Sequence, residues 1–170
     1  LGMFITLRLK TRLVIPIDNE RPLPSVDVFI TTYDERLDVV TPTIVAAVKL
    51  KYSGQMNVYI LDDGGTTEKL KNPNPLEAKE AKERVKHLKE FCDELNVKYI
   101  ARQDNEGAKA GNINYALAHT QGELVLVLDA DHVPTRDFLS NTVGAFQNNA
   151  NLGFLQTPHF FITSNPIEKN

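Results

Sequence analysis

No apolar run in the chain approaches the roughly 18 to 20 residues a membrane-spanning helix needs, and the N-terminus does not read as a signal peptide. The chain is therefore expected to be soluble. Cysteine occurs once, at Cys92, so no internal disulfide can form, which suits a reducing compartment. Neither G-x-G-x-x-G nor G-x-x-x-x-G-K-[ST] is present, which argues against a dinucleotide-binding fold or a P-loop. Basic residues are not in excess either: 19 Lys and Arg against 22 Asp and Glu leave a net charge of -3. Nucleic acid is accordingly a poor partner. What is present, 42% hydrophobic and 24% charged residues over 170 positions, is globular composition sufficient for one domain with a sizeable core.

Residues 1–25 read as a linker. The opening Leu1-Gly2-Met3-Phe4-Ile5, followed by Arg8, Lys10 and Arg12, fits chain lying beside a membrane surface, and equally an edge strand with alternating charges. After Pro22-Leu23-Pro24 the pattern alternates short apolar strands with amphipathic helices. Strands are expected at Val26–Thr32, Val58–Leu61, Val97–Ala101, Glu123–Leu128 and Leu152–Gln156. Helices are expected at Val39–Tyr52, entered near Pro42, then from Asn74 to about Asn96, Ala108–His119 and Thr135–Asn148. The second of these carries Lys79, Lys82, Lys86 and Lys89 on a solvated face. Asn165-Pro166-Ile167-Glu168 starts a further helix, so residues 26–170 look like the N-terminal part of a longer domain. Repeated βα units predict an α/β fold with a mainly parallel sheet and helices on both faces.

Three polar clusters fall at strand ends, and in a parallel sheet those ends share one edge. They are Thr32-Tyr33-Asp34-Glu35, Asp62-Asp63-Gly64-Gly65 and Asp129-Ala130-Asp131. The last follows the apolar run Leu124 to Leu128, which reads as a central strand covered on both faces. Two carboxylates about 4 Å apart repel by roughly 1 kcal/mol in water and about 4 kcal/mol at an effective dielectric of 20, and a divalent cation would reverse the sign. Asp129 and Asp131 are therefore candidate ligands for Mg²⁺ or Mn²⁺. The plainer alternative is a strand-end turn, with Asp131 or Thr135 capping the next helix.

Taken in order, these segments resemble a known family. Val26-Asp27-Val28-Phe29-Ile30 with Thr32-Tyr33-Asp34-Glu35, Leu61-Asp62-Asp63-Gly64-Gly65, and Asn105-Glu106-Gly107-Ala108-Lys109-Ala110-Gly111-Asn112 carry the first half of the likeness. Asp129-Ala130-Asp131-His132-Val133-Pro134 and Gln156-Thr157-Pro158-His159-Phe160-Phe161 complete it. The chain is similar to processive family-2 glycosyltransferases of the bacterial cellulose synthase type, and the resemblance implies a glycosyltransferase-A fold. It implies that Thr32, Tyr33, Glu35, Asp62 and Asp63 hold the uridine of UDP-glucose, that Lys109 and Asp129 lie against the diphosphate, and that Asp129 and Asp131 hold the metal. Uracil presents an imide N–H that a carboxylate can accept, Tyr33 offers a flat apolar face, and Lys109 opens a helix whose free N–H groups suit phosphate.

The implied reaction is inverting transfer of glucose to a growing β-glucan acceptor. The implied setting is the cytoplasmic face of the bacterial inner membrane, in a membrane-embedded protein with an accessory subunit. The family's Thr-Glu-Asp and Gln-x-x-Arg-Trp segments, which supply the general base and the acceptor-end contacts, have no match here, and tryptophan is absent altogether. The base is thus expected beyond Asn170, and this chain is expected to bind donor rather than to catalyse alone. Asp34 replaces the commoner Asn and Gly107 a frequent His. His132 and His159 read more simply as structural histidines than as ligands. Two rival readings are a haloacid-dehalogenase-like phosphotransferase, whose nucleophile and acid also follow an apolar strand as D-x-D, and a non-catalytic nucleotide-sugar-binding module.

Overall fold

The computed structural model describes residues 14–159; the basic N-terminal stretch, Phe160-Phe161 and the helix start at Asn165 lie outside them. Four strands alternate with helices: β1 (Val26–Thr32), α1 (Leu37–Val48), β2 (Met56–Asp62), the one-turn α2 (Thr67–Leu70), α3 (Pro75–Glu94), β3 (Lys98–Ile100), α4 (Ala108–Leu117), β4 (Leu124–Asp129) and α5 (Phe138–Asn148). All pairings are parallel, in the order β3-β2-β1-β4. The chain steps outward from β1 to β3, then returns across the sheet to place β4 on the other side of β1. That reversal opens a crevice between the carboxyl ends of β1 and β4.

Alternation along β1 sorts its side chains between two cores. Val26, Val28 and Ile30 face one side, where α1 contributes Val40 and Ile44, α3 Leu88 and Cys92, and α5 Leu139 and Val143. Phe29 faces the other with Tyr59 and Leu61, covered by Ala116 and Ile113 of α4. Burial pushes the Cys92 thiol up to about 12, so it behaves as a small apolar core residue. Asp27, fully buried in β1, accepts from Asn57 Nδ2 at 3.0 Å and Gly122 N at 2.6 Å, which ties three segments together at the foot of the sheet. The described part of the linker docks on α5: Asp18 N donates to Gln147 Oε1, and Gln147 Nε2 donates back to Asp18 O.

Two expectations are corrected. The run Leu124 to Leu128 is not a central strand: β4 pairs only with β1 among the described residues, and Val127 is 40% exposed. Its Leu124, Leu126 and Leu128 enter or pack against the larger core, while Val125 packs with the smaller cluster beneath α4 and Val127 alternates to the same side. The fully buried strand is β1, paired on both sides and carrying Asp27, Thr31 and Thr32 among its residues. The fifth strand is also absent; Leu152–Gln156 is irregular, with Phe154 76% exposed, because no neighbouring strand there supplies a ladder. Helix entries moved as well. α1 begins at Leu37 and takes Pro42 inside it, and α5 begins at Phe138 rather than Thr135. The Asn74 entry holds, with its side chain accepting from Leu76 N at 3.1 Å.

Adjacent residues of β4 test this placement. Leu128→Ala should cost about 2 to 4 kcal/mol in urea unfolding, whereas Val127→Ser should cost about 1 kcal/mol or less, since only the former opens a cavity in the larger core. Equal losses would contradict the edge assignment.

Candidate functional site

A cleft of about 530 Å³ occupies the crevice, within the range of small-molecule sites, and all three polar clusters reach it. Thr31, Thr32, Tyr33 and Glu35 come from the end of β1, Asp63 from the end of β2, and Asp129, Ala130 and Asp131 from the end of β4. The first turns of α4 add Ala108, Lys109 and Asn112. Of the sequence-derived candidates, Thr32, Tyr33, Glu35, Asp63, Lys109, Asp129 and Asp131 therefore share one cavity wall.

Asp62 does not line the cleft. It is 0% exposed, and its carboxylate accepts from Gly64 N at 2.9 Å, from Arg84 Nη1 at 3.0 Å and from Tyr99 Oη at 2.7 Å. The strand's outward alternation sends Asp62 behind the sheet edge and turns Asp63 toward the crevice. The same Arg84 donates through Nε to Glu35 O at 3.1 Å and through Nη2 to Thr32 Oγ1 at 2.9 Å, so one guanidinium from α3 locks the ends of β1 and β2 together. Gly64 is needed here because a Cβ would fall 1.7 Å from Tyr33 O.

Asp63 is held by a second arginine. Arg102 donates to it through Nε at 2.7 Å and Nη2 at 2.9 Å, a bidentate pair with side chains only 7% and 5% exposed. The remaining donors reach Asn105 Oδ1, Glu106 O and Ala108 O, wrapping the loop before α4 around the guanidinium. Gly107 (φ 70) and Ala108 (φ 47) are both left-handed there, and for alanine that conformation costs roughly 1 to 2 kcal/mol. The caged cation offsets it.

Charges on the open side are paired within the chain. Lys109 Nζ bonds Asp129, Thr31 Oγ1 reaches the same oxygen at 3.3 Å, and His132 lies 3.5 Å from Asp129 and 3.7 Å from Asp131. Partial burial alone would raise the Asp129 carboxyl, but Lys109 and His132 outweigh it and hold it below the usual carboxylate range. Glu35 behaves alike: burial would raise it, yet donors from Tyr33 N and Thr32 Oγ1, with the Arg84 charge, keep it low. The extra acid Asp34 is neutralised by Lys69, whose ammonium sits 3.5 Å from the Tyr33 ring centroid. His132 and His159 meet edge to face at 4.4 Å.

Arg84, Tyr99, Arg102 and Asn112 were missed by sequence reasoning. Arg84 was readable: it stands three residues after Ala81 and four before Leu88, on the apolar face of α3. Arg102 follows β3 at the shared sheet edge, and a cation directly after a strand whose neighbouring strands end in acids is itself a signal. Asn112 Nδ2 donates to Leu61 O at 3.0 Å, while its buried Oδ1 has no partner. Among the described residues no three acids, histidines or cysteines form a closed metal cage. Asp129 and Asp131 supply hard oxygens only, fitting an octahedral cation that takes its other ligands from water and phosphate.

Residues 27–170 match the family described as glycosyl transferase family 2. The chain is 38% identical over 172 residues to the Komagataeibacter xylinus cellulose synthase 1 catalytic subunit (UDP-forming), covering 100% of this chain and 20% of that protein. It is 43% identical over 148 residues to the cellulose synthase catalytic subunit (UDP-forming) of Pseudomonas fluorescens, covering 86% and 18% respectively. The chain thus spans about a fifth of the length of these relatives. Among solved structures it is similar to a Pyrobaculum calidifontis mannosyltransferase in complex with GDP-Man and Mn²⁺, with TM-score 0.56, 27% identity, and 81% and 36% of the two chains covered. S. aureus TarS 1-349 in complex with UDP-GlcNAc shares the fold at TM-score 0.54 and 16% identity, covering 79% and 37%.

Removing Arg102 leaves Asp63 buried and unpaired, so Arg102→Met should lose about 3 to 5 kcal/mol in urea unfolding. Arg102→Lys should recover only part of that, because an ammonium cannot serve the planar set of acceptors. For Glu35, whose folded carboxyl lies below its ordinary 4.5, the stabilisation is complete above that value and fades as pH falls through the folded one. The stability gap between wild type and Glu35→Gln, measured by urea titration from pH 6 to 3, should therefore stay constant above about pH 5 and shrink below.

Proposed function

The chain belongs to glycosyl transferase family 2, with the glycosyltransferase-A fold, and from that premise we propose that it is the donor-binding part of an enzyme transferring glucose from UDP-glucose to a growing β-glucan. The observation that carries the reading is the convergence of Tyr33, Asp63, Lys109, Asp129 and Asp131 on one cleft at the strand reversal. The phosphotransferase alternative has no support in a chain matched to this family from residue 27 to 170.

In this assignment Tyr33 offers its ring to the uracil, with Thr32 and Glu35 fixing the loop that presents it. Asp63, rather than Asp62, is the second-strand acid facing the nucleobase, since each of its oxygens keeps a lone pair beyond the Arg102 bonds. Lys109 and the free N–H groups opening α4 receive the diphosphate. Asp129 and Asp131 would hold Mg²⁺ or Mn²⁺, which when bound neutralises charge growing on the departing UDP. The acceptor hydroxyl approaches from the open side of the cleft, and its general base is assigned to none of these residues.

No helix among the described residues is long and apolar enough to cross a membrane. We place the full-length protein, with its accessory subunit and glucan product, at the cytoplasmic face of the bacterial inner membrane. That placement rests on the relatedness to cellulose synthases.

Metal and nucleotide should bind cooperatively. In calorimetric titrations Mn²⁺ should tighten UDP binding about tenfold or more in wild type, within the usual range of coupling energies, and less than about twofold in Asp129→Asn. Equal UDP affinity with and without metal would reject the assignment.

A further inference from the structure

The cleft already contains a cation supplied by the chain. Lys109 and Asp129 are both about half exposed, and their side chains close on each other across the cavity that both line. Asp129 has partners on each oxygen, from Lys109 and Thr31 on one and His132 on the other. Asp131 is 72% exposed and faces only His132. A metal ion arriving alone therefore meets a first carboxylate already neutralised and a second one fully hydrated. A diphosphate arriving alone meets a lysine whose charge is spent on Asp129. Neither ligand finds its partner free.

Together they resolve the conflict. A metal that takes Asp129 displaces the ammonium, and the released ammonium finds a diphosphate at the opening of its own helix. We propose that Lys109 is an exchangeable counter-ion of Asp129, handed from the carboxylate to the diphosphate when the metal binds. One lysine thereby couples the two ligands. This deepens the donor-site reading above and rests on it. The fold allows the exchange without backbone movement: Lys109 is the second residue of α4, its stem is long and flexible, and Arg102 holds the preceding loop from beneath. Gly107 precedes α4 with no side-chain cap; Ala108 N donates to Asn105 O at 3.1 Å, and the N–H groups of Lys109 and Ala110 are left to receive an anion.

The hand-over makes two predictions of opposite sign for one substitution, which loss of a merely structural lysine would not produce. In the purified protein, Mn²⁺ alone, followed by electron paramagnetic resonance of the free ion, should bind Lys109→Met roughly two- to fivefold more tightly than wild type, the range of a partly exposed ion pair. UDP in saturating Mn²⁺, followed by calorimetry, should bind the same variant about ten- to a hundredfold more weakly, as expected for a lost charge-assisted bond to phosphate. Lys109→Arg, whose planar fork grips a carboxylate in two places, should bind Mn²⁺ alone no better than wild type. Lys69→Met removes the same charge from the Asp34 pair at the same sheet edge and should leave Mn²⁺ affinity within about twofold. Unchanged or weaker Mn²⁺ binding in Lys109→Met overturns the proposal, as does an equal gain in Lys69→Met. If UDP affinity in wild type ignores Mn²⁺, the donor-site reading fails instead, and the two failures are told apart by the wild-type titration.

Discussion

The bidentate pair between Arg102 and Asp63 is the constraint on which the cleft depends. Its carboxylate directly follows β2, and its guanidinium gathers Asn105, Glu106 and Ala108 into the loop that launches α4. Without a cation at that point, consecutive acids at a buried strand end would repel, and two successive left-handed residues would have nothing to hold them. A buried pair of this kind is expensive to desolvate, so its worth lies in position more than in net stability. It sets where Lys109 stands relative to Asp129.

Arg84 does for Asp62 what Arg102 does for Asp63, from a different element. Each of two adjacent acids thus has its own arginine, one drawing the β1 loop inward and the other drawing the α4 loop inward. These clamps leave the rim free to respond to ligands. The Lys109 and Asp129 pair is half exposed and lines the cleft, whereas the Lys69 and Asp34 pair lies at the same sheet edge outside the cleft lining. Rigid floor and adjustable rim follow from the same inventory of ions, sorted by burial.

Much of this was legible in the sequence because strand-end clusters in a parallel βα pattern must share an edge. The gathering of Tyr33, Asp63, Lys109 and Asp131 follows from that rule, while the strand Val26–Thr32, the strand expected at Glu123–Leu128 and found at Leu124–Asp129, and the Asn74 cap were readable from apolar pattern and capping residues. What escaped was decided by partners far away in sequence. Asp62 and Asp63 are indistinguishable as letters, and only strand alternation, with Arg84 and Tyr99 waiting behind the edge, separates them. β4 looked central because its residues are uniformly apolar, while the true centre carries Asp27 and two threonines whose hydrogen bonds are invisible locally. The apolar stretch at Leu152 lacked nothing that a strand requires except a neighbour.

The account's central claim, that one cleft exchanges its own cation for a metal and a diphosphate, is tested most directly by anomalous diffraction from crystals of the protein grown with UDP and Mn²⁺. The account predicts a manganese peak between Asp129 and Asp131, with the Lys109 ammonium off Asp129 and against the phosphates. Manganese elsewhere, or Lys109 still bound to Asp129 beneath a seated diphosphate, would contradict it.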